Sequence, residues 1–220
     1  MNLKQELYLV REWYRAHREF GIKPDWREFK RVRAAYAEKH RHYHTWQHIY
    51  ECCLFTRKHY GLQPLVVMAL FYHDIVYDVT RKDNEELSAQ QWIDYATSRG
   101  LHRVAYIKMN LIADGIRMTA THKITGIKSL FYDMLNDADM HVFLCPDSHY
   151  LEYAQNIWRE YRGFGREKYL EGRLAFLNSV DPLTMYYTHQ ATRMVHHAKA
   201  NLDLEKTILE TDPDRILTAS

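Results

Sequence analysis

Apolar residues recur three and four positions apart along almost the whole chain, the spacing that gathers them on one face of an α-helix. Leu3, Leu7, Val10 and Tyr14 predict a first helix. Trp26, Phe29, Val32 and Tyr36 predict a second, with Pro24 suited to its opening turn. Thr45 is placed to cap a third, which carries His48, Ile49, Cys52 and Phe55. Residues 65–77 are apolar on nearly every side, the pattern of a helix buried at the centre of a fold. Asp83 and Glu86 have capping-box spacing ahead of Leu87, Trp92, Ile93 and Ala96. Val104, Ile107, Leu111, Ile112 and Ile116 form the next stripe, followed by Ile127, Leu130, Phe131, Met134 and Leu135. Asp147 or Ser148 is expected to cap a helix through Leu151, Ala154, Ile157 and Tyr161. Tyr169, Leu170, Arg173, Leu174 and Leu177 continue the period. A last long helix over about residues 188–209 shows Ala191, Val195, Ala198, Leu202 and Ile208. Only residues 140–144 offer a weak strand pattern, and the final ten residues read as frayed. The expectation is one all-α domain spanning residues 1–220, a helical bundle.

Composition narrows the function classes. A chain of 220 residues buries roughly 70% of its unfolded surface and needs no disulfide or structural metal to build a core. Its 46% apolar and 26% charged residues exclude disorder and collagen. Net charge is +2, a smaller excess than a dedicated nucleic-acid binder shows, although residues 1–60 hold 13 basic against 7 acidic side chains. The cysteines, Cys52, Cys53 and Cys145, contain no C-x-x-C spacing, which argues against thiolate zinc sites and redox pairs and suits a reducing cytoplasm. Residues 1–6 lack the apolar core of a signal peptide, and the longest strongly apolar stretch, residues 64–72, is under half the roughly 18–20 needed to span a bilayer. A cytoplasmic protein is expected, with no membrane partner and no nucleic acid; a homo-oligomer is left open.

Against this background 14 histidines stand out. Two stretches put metal-binding side chains where core-building residues would serve. In Arg41-His42-Tyr43-His44-Thr45-Trp46-Gln47-His48, His44 and His48 are four apart and share a helical face. In Phe71-Tyr72-His73-Asp74-Ile75-Val76-Tyr77-Asp78, a His-Asp pair interrupts the most apolar helix, and Asp78 follows Asp74 by one turn. A buried carboxylate must be paired, hydrogen-bonded or metal-bound. Asp139, in Leu135-Asn136-Asp137-Ala138-Asp139-Met140, again breaks an apolar surround. Each feature alone has a plain reading: His42 as a solvated side chain, His73 as a hydrogen-bonded core histidine, Asp74 as a cap or an arginine partner. The ordered combination is the more specific signal.

In that order and context the chain resembles the HD-domain superfamily, all-helical metal-dependent phosphohydrolases that hold a divalent metal with one His, a His-Asp pair and a distant Asp. His48, His73, Asp74 and Asp139 match those positions. The wording R-x-Y-H-x-x-x-H-I, F-x-H-D-x-x-Y-D, N-E-x-x-S-A, D-A-D-hydrophobic and A-x-x-N-L is similar to the branch described as predicted metal-dependent HD phosphohydrolases. It covers about residues 40–205, leaving residues 1–39 as N-terminal helices packed on that core.

The resemblance implies release of phosphate, pyrophosphate or triphosphate from a small phosphorylated substrate, a nucleotide first. Mixed nitrogen and oxygen ligands suit Mn, Fe, Co, Ni or Zn, with Mg less comfortable on histidine. By analogy with cyclic-nucleotide phosphodiesterase relatives, His44 would bind phosphate or protonate the leaving oxygen. Asp78 would orient water or hold a second metal, and Arg41, Glu85 and Tyr77 would line the substrate pocket. Alarmone-hydrolysing relatives carry a Glu-Asp pair where this chain has Tyr77-Asp78, which counts against that substrate. His122 is a candidate further metal or phosphate ligand, whereas His102 is expected at the surface. His141 is expected beside the Asp139 segment. His17, His40, His59, His149, His189, His196 and His197 are expected at the surface or at helix caps. Two rival readings are a dinuclear-iron oxygenase and a binding module for a nucleotide or nucleic acid without turnover.

Overall fold

The structure is a computed structural model that describes residues 1–123 and 129–218; these residues are helical, with no strand among them. The expected position of Ile127 lies outside the described residues. The chain divides into two compact units, Met1–Glu38 with His44–Asp139, and Lys39–Tyr43 with Met140–Ser220.

The first unit holds α1 (Leu3–Glu19), α2 (Trp26–Ala35), α3 (Trp46–Tyr60), α4 (Pro64–Tyr72), α5 (Asn84–Ser98), α6 (Leu101–Val104), α7 (Tyr106–Met118) and α8 (Leu130–Asp139). Pro64 opens α4, and α1, α3, α5, α7 and α8 all pack on it. A helix enclosed by five others has no wet side, which is why its residues are apolar all round. It stops at Tyr72 rather than near residue 77. The Leu70 carbonyl, which the Asp74 amide would use to continue the helix, accepts from His73 Nδ1 at 2.9 Å, and that amide donates to the Tyr36 hydroxyl at 3.2 Å.

α1 buries a different face from the one expected. Leu3, Leu7 and Tyr14 are exposed, while Leu9, Trp13, Ala16 and His17 are buried. Trp13 sets the face: it meets Phe29, Phe71, Tyr72 and Tyr95 at centroid distances of 5.6, 5.2, 6.4 and 6.3 Å. His17 is a core residue, with Nδ1 donating to Trp13 O at 2.8 Å and Nε2 accepting from the Tyr95 hydroxyl at 2.6 Å. Asp25 caps α2 by accepting from the Arg27 and Glu28 amides, so Pro24 precedes the cap. The capping box expected at Asp83 is replaced by ion pairs, Asp83 with Arg81 and Glu86 with Arg117, both at 2.7 Å.

The second unit holds a 3₁₀ turn at Met140–Leu144, where a strand was the alternative, then α9 (Asp147–Tyr161), a 3₁₀ turn at Arg162–Phe164, α10 (Arg166–Ser179), α11 (His189–Thr192), α12 (Val195–Thr211) and α13 (Asp214–Leu217). Pro146, rather than Asp147 or Ser148, is the residue before α9. The expected long terminal helix is broken between α11 and α12, and the end of the chain is not frayed through its length: Ile216 and Leu217 are buried in α13, which packs on α9 and α12. Arg173 and Glu205 form a buried two-pronged pair at 2.8 and 3.0 Å, with the Tyr150 hydroxyl donating to Glu205 at 2.5 Å. Glu160 Oε1 accepts the His42 and Tyr43 amides, each at 2.7 Å, which ties residues 39–43 to this unit. No helix among the described residues is long and apolar enough to cross a membrane.

Candidate metal centre

Three elements of the first unit deliver the residues that the sequence pattern singled out. His48 sits in the first turn of α3 on its buried face with Ile49 and Cys52. His73 and Asp74 follow the last turn of α4, and Asp139 is the final residue of α8. Helix ends place polar side chains at the rim of an apolar core without burying them in its middle. His48 and His73 are almost fully enclosed, whereas the Asp74 and Asp139 side chains keep 14% and 13% exposure.

The donor atoms converge. His48 Nε2, His73 Nε2 and Asp139 Oδ1 form a triangle with sides of 3.3, 3.2 and 3.2 Å. Asp74 Oδ2 lies 3.0 Å from His73 Nε2 and 3.9 Å from His48 Nε2. Two donors each about 2.1 Å from a shared ion stand about 3.0 Å apart at right angles and about 3.4 Å apart at the tetrahedral angle, so these separations suit one small cation. Hydrogen bonding points the same way. His73 Nδ1 must carry its proton to meet the Leu70 carbonyl, so a neutral His73 turns a bare Nε2 lone pair toward two carboxylates. Acceptors facing acceptors need a proton or a metal ion between them.

Burial opposes a charged His73, but Asp74 and Asp139 outweigh it and keep its pKa well above the ordinary imidazole value. Burial likewise opposes ionisation of the two carboxylates, and His73 overcomes it, holding Asp74 and Asp139 below the usual carboxylate range; His44 adds to the effect on Asp74 and His48 to that on Asp139.

The structure brings His122, expected as a further ligand, to the Asp139 side and adds Asn136 and Asp137, which spacing did not reveal. His122 Nε2 lies 3.8 Å from Asp139 Oδ2, and its Nδ1 meets Asn136 Oδ1 at 3.1 Å. Asn136 and Asp137 are fully buried, and a polar pair within an apolar stripe was the only sequence signal for them. Cys52 with His48 and Asp139 is a second group able to hold an ion. Its Sγ stands 3.5 and 3.6 Å from Nδ1 and Nε2 of His48. Burial, helped by Asp139, pushes the thiol pKa well up and keeps it neutral, a poor ligand form.

The other expected residues are distributed unevenly. His44 precedes α3 rather than lying on it; its ring lies tilted against that of Tyr77 at a centroid distance of 4.2 Å and stands 5.9 Å from that of His48. Asp78 does not share a helical face with Asp74, because α4 has ended: it is exposed, and its Oδ1 accepts from the Thr80 amide and hydroxyl at 2.8 and 2.7 Å. Glu85 is half-buried in the first turn of α5. Arg41 is buried in the second unit, as is His141. His102 is exposed.

Compared with protein-family models, curated proteins and solved structures, the chain matches none.

Proposed function

We propose that this protein is a metal-dependent phosphohydrolase of the HD-domain type, releasing phosphate from a small phosphorylated substrate, a nucleotide first. The supporting observation is the convergence of His48, His73, Asp74 and Asp139 from three helix ends onto one point. These four would hold a divalent transition metal, Mn, Fe, Co, Ni or Zn, because two imidazoles favour such ions over Mg. When bound, such an ion makes hydroxide available near neutral pH and neutralises charge on the phosphoryl group.

The chain's own groups do the rest. The Leu70 carbonyl fixes the ring of His73 with Nε2 inward, and Tyr36 anchors the Asp74 backbone. His44, partly exposed and braced by Tyr77, would meet the substrate phosphate or protonate its leaving oxygen. Phosphate release across nucleotide mono-, di- and triphosphates, measured with each metal in turn, tests the reading. Release that needs metal and is lost in Asp74→Asn supports it; no release with any metal sinks it. His122 beside Asp139, at 3.8 Å, keeps the dinuclear-iron oxygenase as the rival, although His102, which that reading also calls on, is exposed. Near two irons per chain with oxygen-dependent turnover and no phosphate release would favour that rival.

A further inference from the structure

His122 has a backbone that its neighbours must hold. Its φ of 54° is the one positive value outside glycine among the described residues, a left-handed conformation costing on the order of 1 kcal/mol for a residue with a Cβ. Its amide closes the end of α7 on Met118 O at 3.0 Å. The ring is oriented just as firmly. Nδ1 faces Asn136 Oδ1 at 3.1 Å, and the sense of that amide is set by the next link, since Asn136 Nδ2 donates to Asp137 Oδ1 at 3.1 Å. The atom facing His122 is therefore an oxygen that only accepts, so Nδ1 carries the proton. Asp137 also accepts from the Tyr60 hydroxyl at 3.4 Å. Asn136 and Asp137 have 0% exposure, which leaves the Asn136 side chain little freedom to turn over. A neutral His122 then has its lone pair on Nε2, the nitrogen 3.8 Å from Asp139 Oδ2.

We infer that Tyr60, Asp137 and Asn136 form a positioning chain that holds His122 in its Nδ1–H form and presents the Nε2 lone pair to the Asp139 side of the site, as an added nitrogen donor for a divalent cation. The cation rests on the metal-dependent reading above; the tautomer does not. Partners that fix the free nitrogen of a ligating histidine typically change metal affinity about 10- to 100-fold when removed.

The test uses the full chain with ¹⁵N-labelled histidine, stripped of metal by chelation, in long-range ¹H–¹⁵N correlation spectra at mildly alkaline pH. His122→Gln assigns the resonance by its loss. The expected spectrum has a pyrrole-type Nδ1 and a pyridine-type Nε2 at His122. Asn136→Leu is expected to move His122 to a mixed or Nε2–H form and to weaken Zn²⁺ binding, read by chelator competition, by about 10-fold or more. The double substitution Asn136→Asp with Asp137→Asn reverses the link between positions 136 and 137 but keeps an acceptor facing His122 Nδ1 and one facing the Tyr60 hydroxyl, and is expected to restore both readouts. A wild-type His122 protonated on Nε2, an Asn136→Leu spectrum identical to wild type, or a folded double variant that restores neither would overturn the inference. Should Asn136→Leu not fold, the wild-type spectrum and the double variant decide. Failure of phosphate release with the Nδ1–H form intact counts against the phosphohydrolase reading alone.

Discussion

His73 meets two structural demands with one ring: Nδ1 ends α4 by taking the Leu70 carbonyl, and Nε2 faces Asp74 and Asp139. His73→Ala removes both, so it is expected to abolish metal retention and phosphate release and also to loosen the end of α4. His44→Ala touches the outer rim only. It is expected to keep metal content, measured by elemental analysis, while lowering kcat about 10²- to 10⁴-fold if His44 is the proton donor. His17 gives a pH prediction with a definite sign. Burial lowers its pKa below the ordinary 6.5 against the opposing hydrogen bond to Trp13 O. Above that value folded and unfolded chains are both neutral at this residue; as pH falls through it, the unfolded chain binds a proton that the folded core refuses. Stability is therefore expected to fall with acidification from about pH 6.5 toward the lower folded value, at up to about 1.4 kcal/mol per pH unit. Urea unfolding across that range checks this, with a shallower slope expected in His17→Gln. The convergence of His48, His73, Asp74 and Asp139 was legible because His73, Asp74 and Asp139 interrupt apolar helices. Asn136 and Asp137 were not, since their role lies in which atom faces which across the fold. His17, expected at the surface or at a helix cap, is a core residue, and no spacing links it to its partner Tyr95, 78 positions away.

Among the elements, α7 and α8 approach so closely that a side chain at Gly115 has no room. A Cβ there would stand 2.7 Å from Phe131 Cε1 and 2.9 Å from Leu135 Cδ2. Leu135 lies one turn before Asp139, and Gly115 lies two turns before His122, so displacement reaches both sides of the site. Gly115→Ala is expected to cost about 1–3 kcal/mol in denaturant unfolding and to weaken metal binding although it contacts no donor. The same sequence region shows where periodicity works. The buried sets of α3 and α4 follow the expected stripes closely, and α8 does so at Phe131, Met134 and Leu135 while leaving Leu130 exposed. On α1 the aliphatic count outvoted Trp13, whose large ring fixes the buried face. Helix ends were read less well, because the end of α4 depends on Tyr36 and on a side-chain hydrogen bond within its own last turn, and Asp83 prefers Arg81 to its own helix.

For the whole molecule, the all-helical class follows directly from the period of the apolar residues, while the division into two units does not, since no linker composition marks it. The second unit is centred on a charged pair rather than on apolar packing alone. Arg173→Met leaves Glu205 and the Tyr150 hydroxyl in a dry site without their cation, and is expected to cost about 3–5 kcal/mol in that unit's unfolding. The double substitution of Arg173→Met with Glu205→Leu is expected to recover much of that loss. The central claim concerns the first unit, that His48, His73, Asp74 and Asp139 form a site for a divalent transition metal. Calorimetric titration of chelator-stripped protein with Mn²⁺, Co²⁺ and Zn²⁺ tests it most directly. The account predicts saturable binding that disappears in Asp139→Ala while the circular dichroism of the variant stays helical. Binding of equal affinity in wild type and Asp139→Ala, or no binding of any of the three ions, would contradict it.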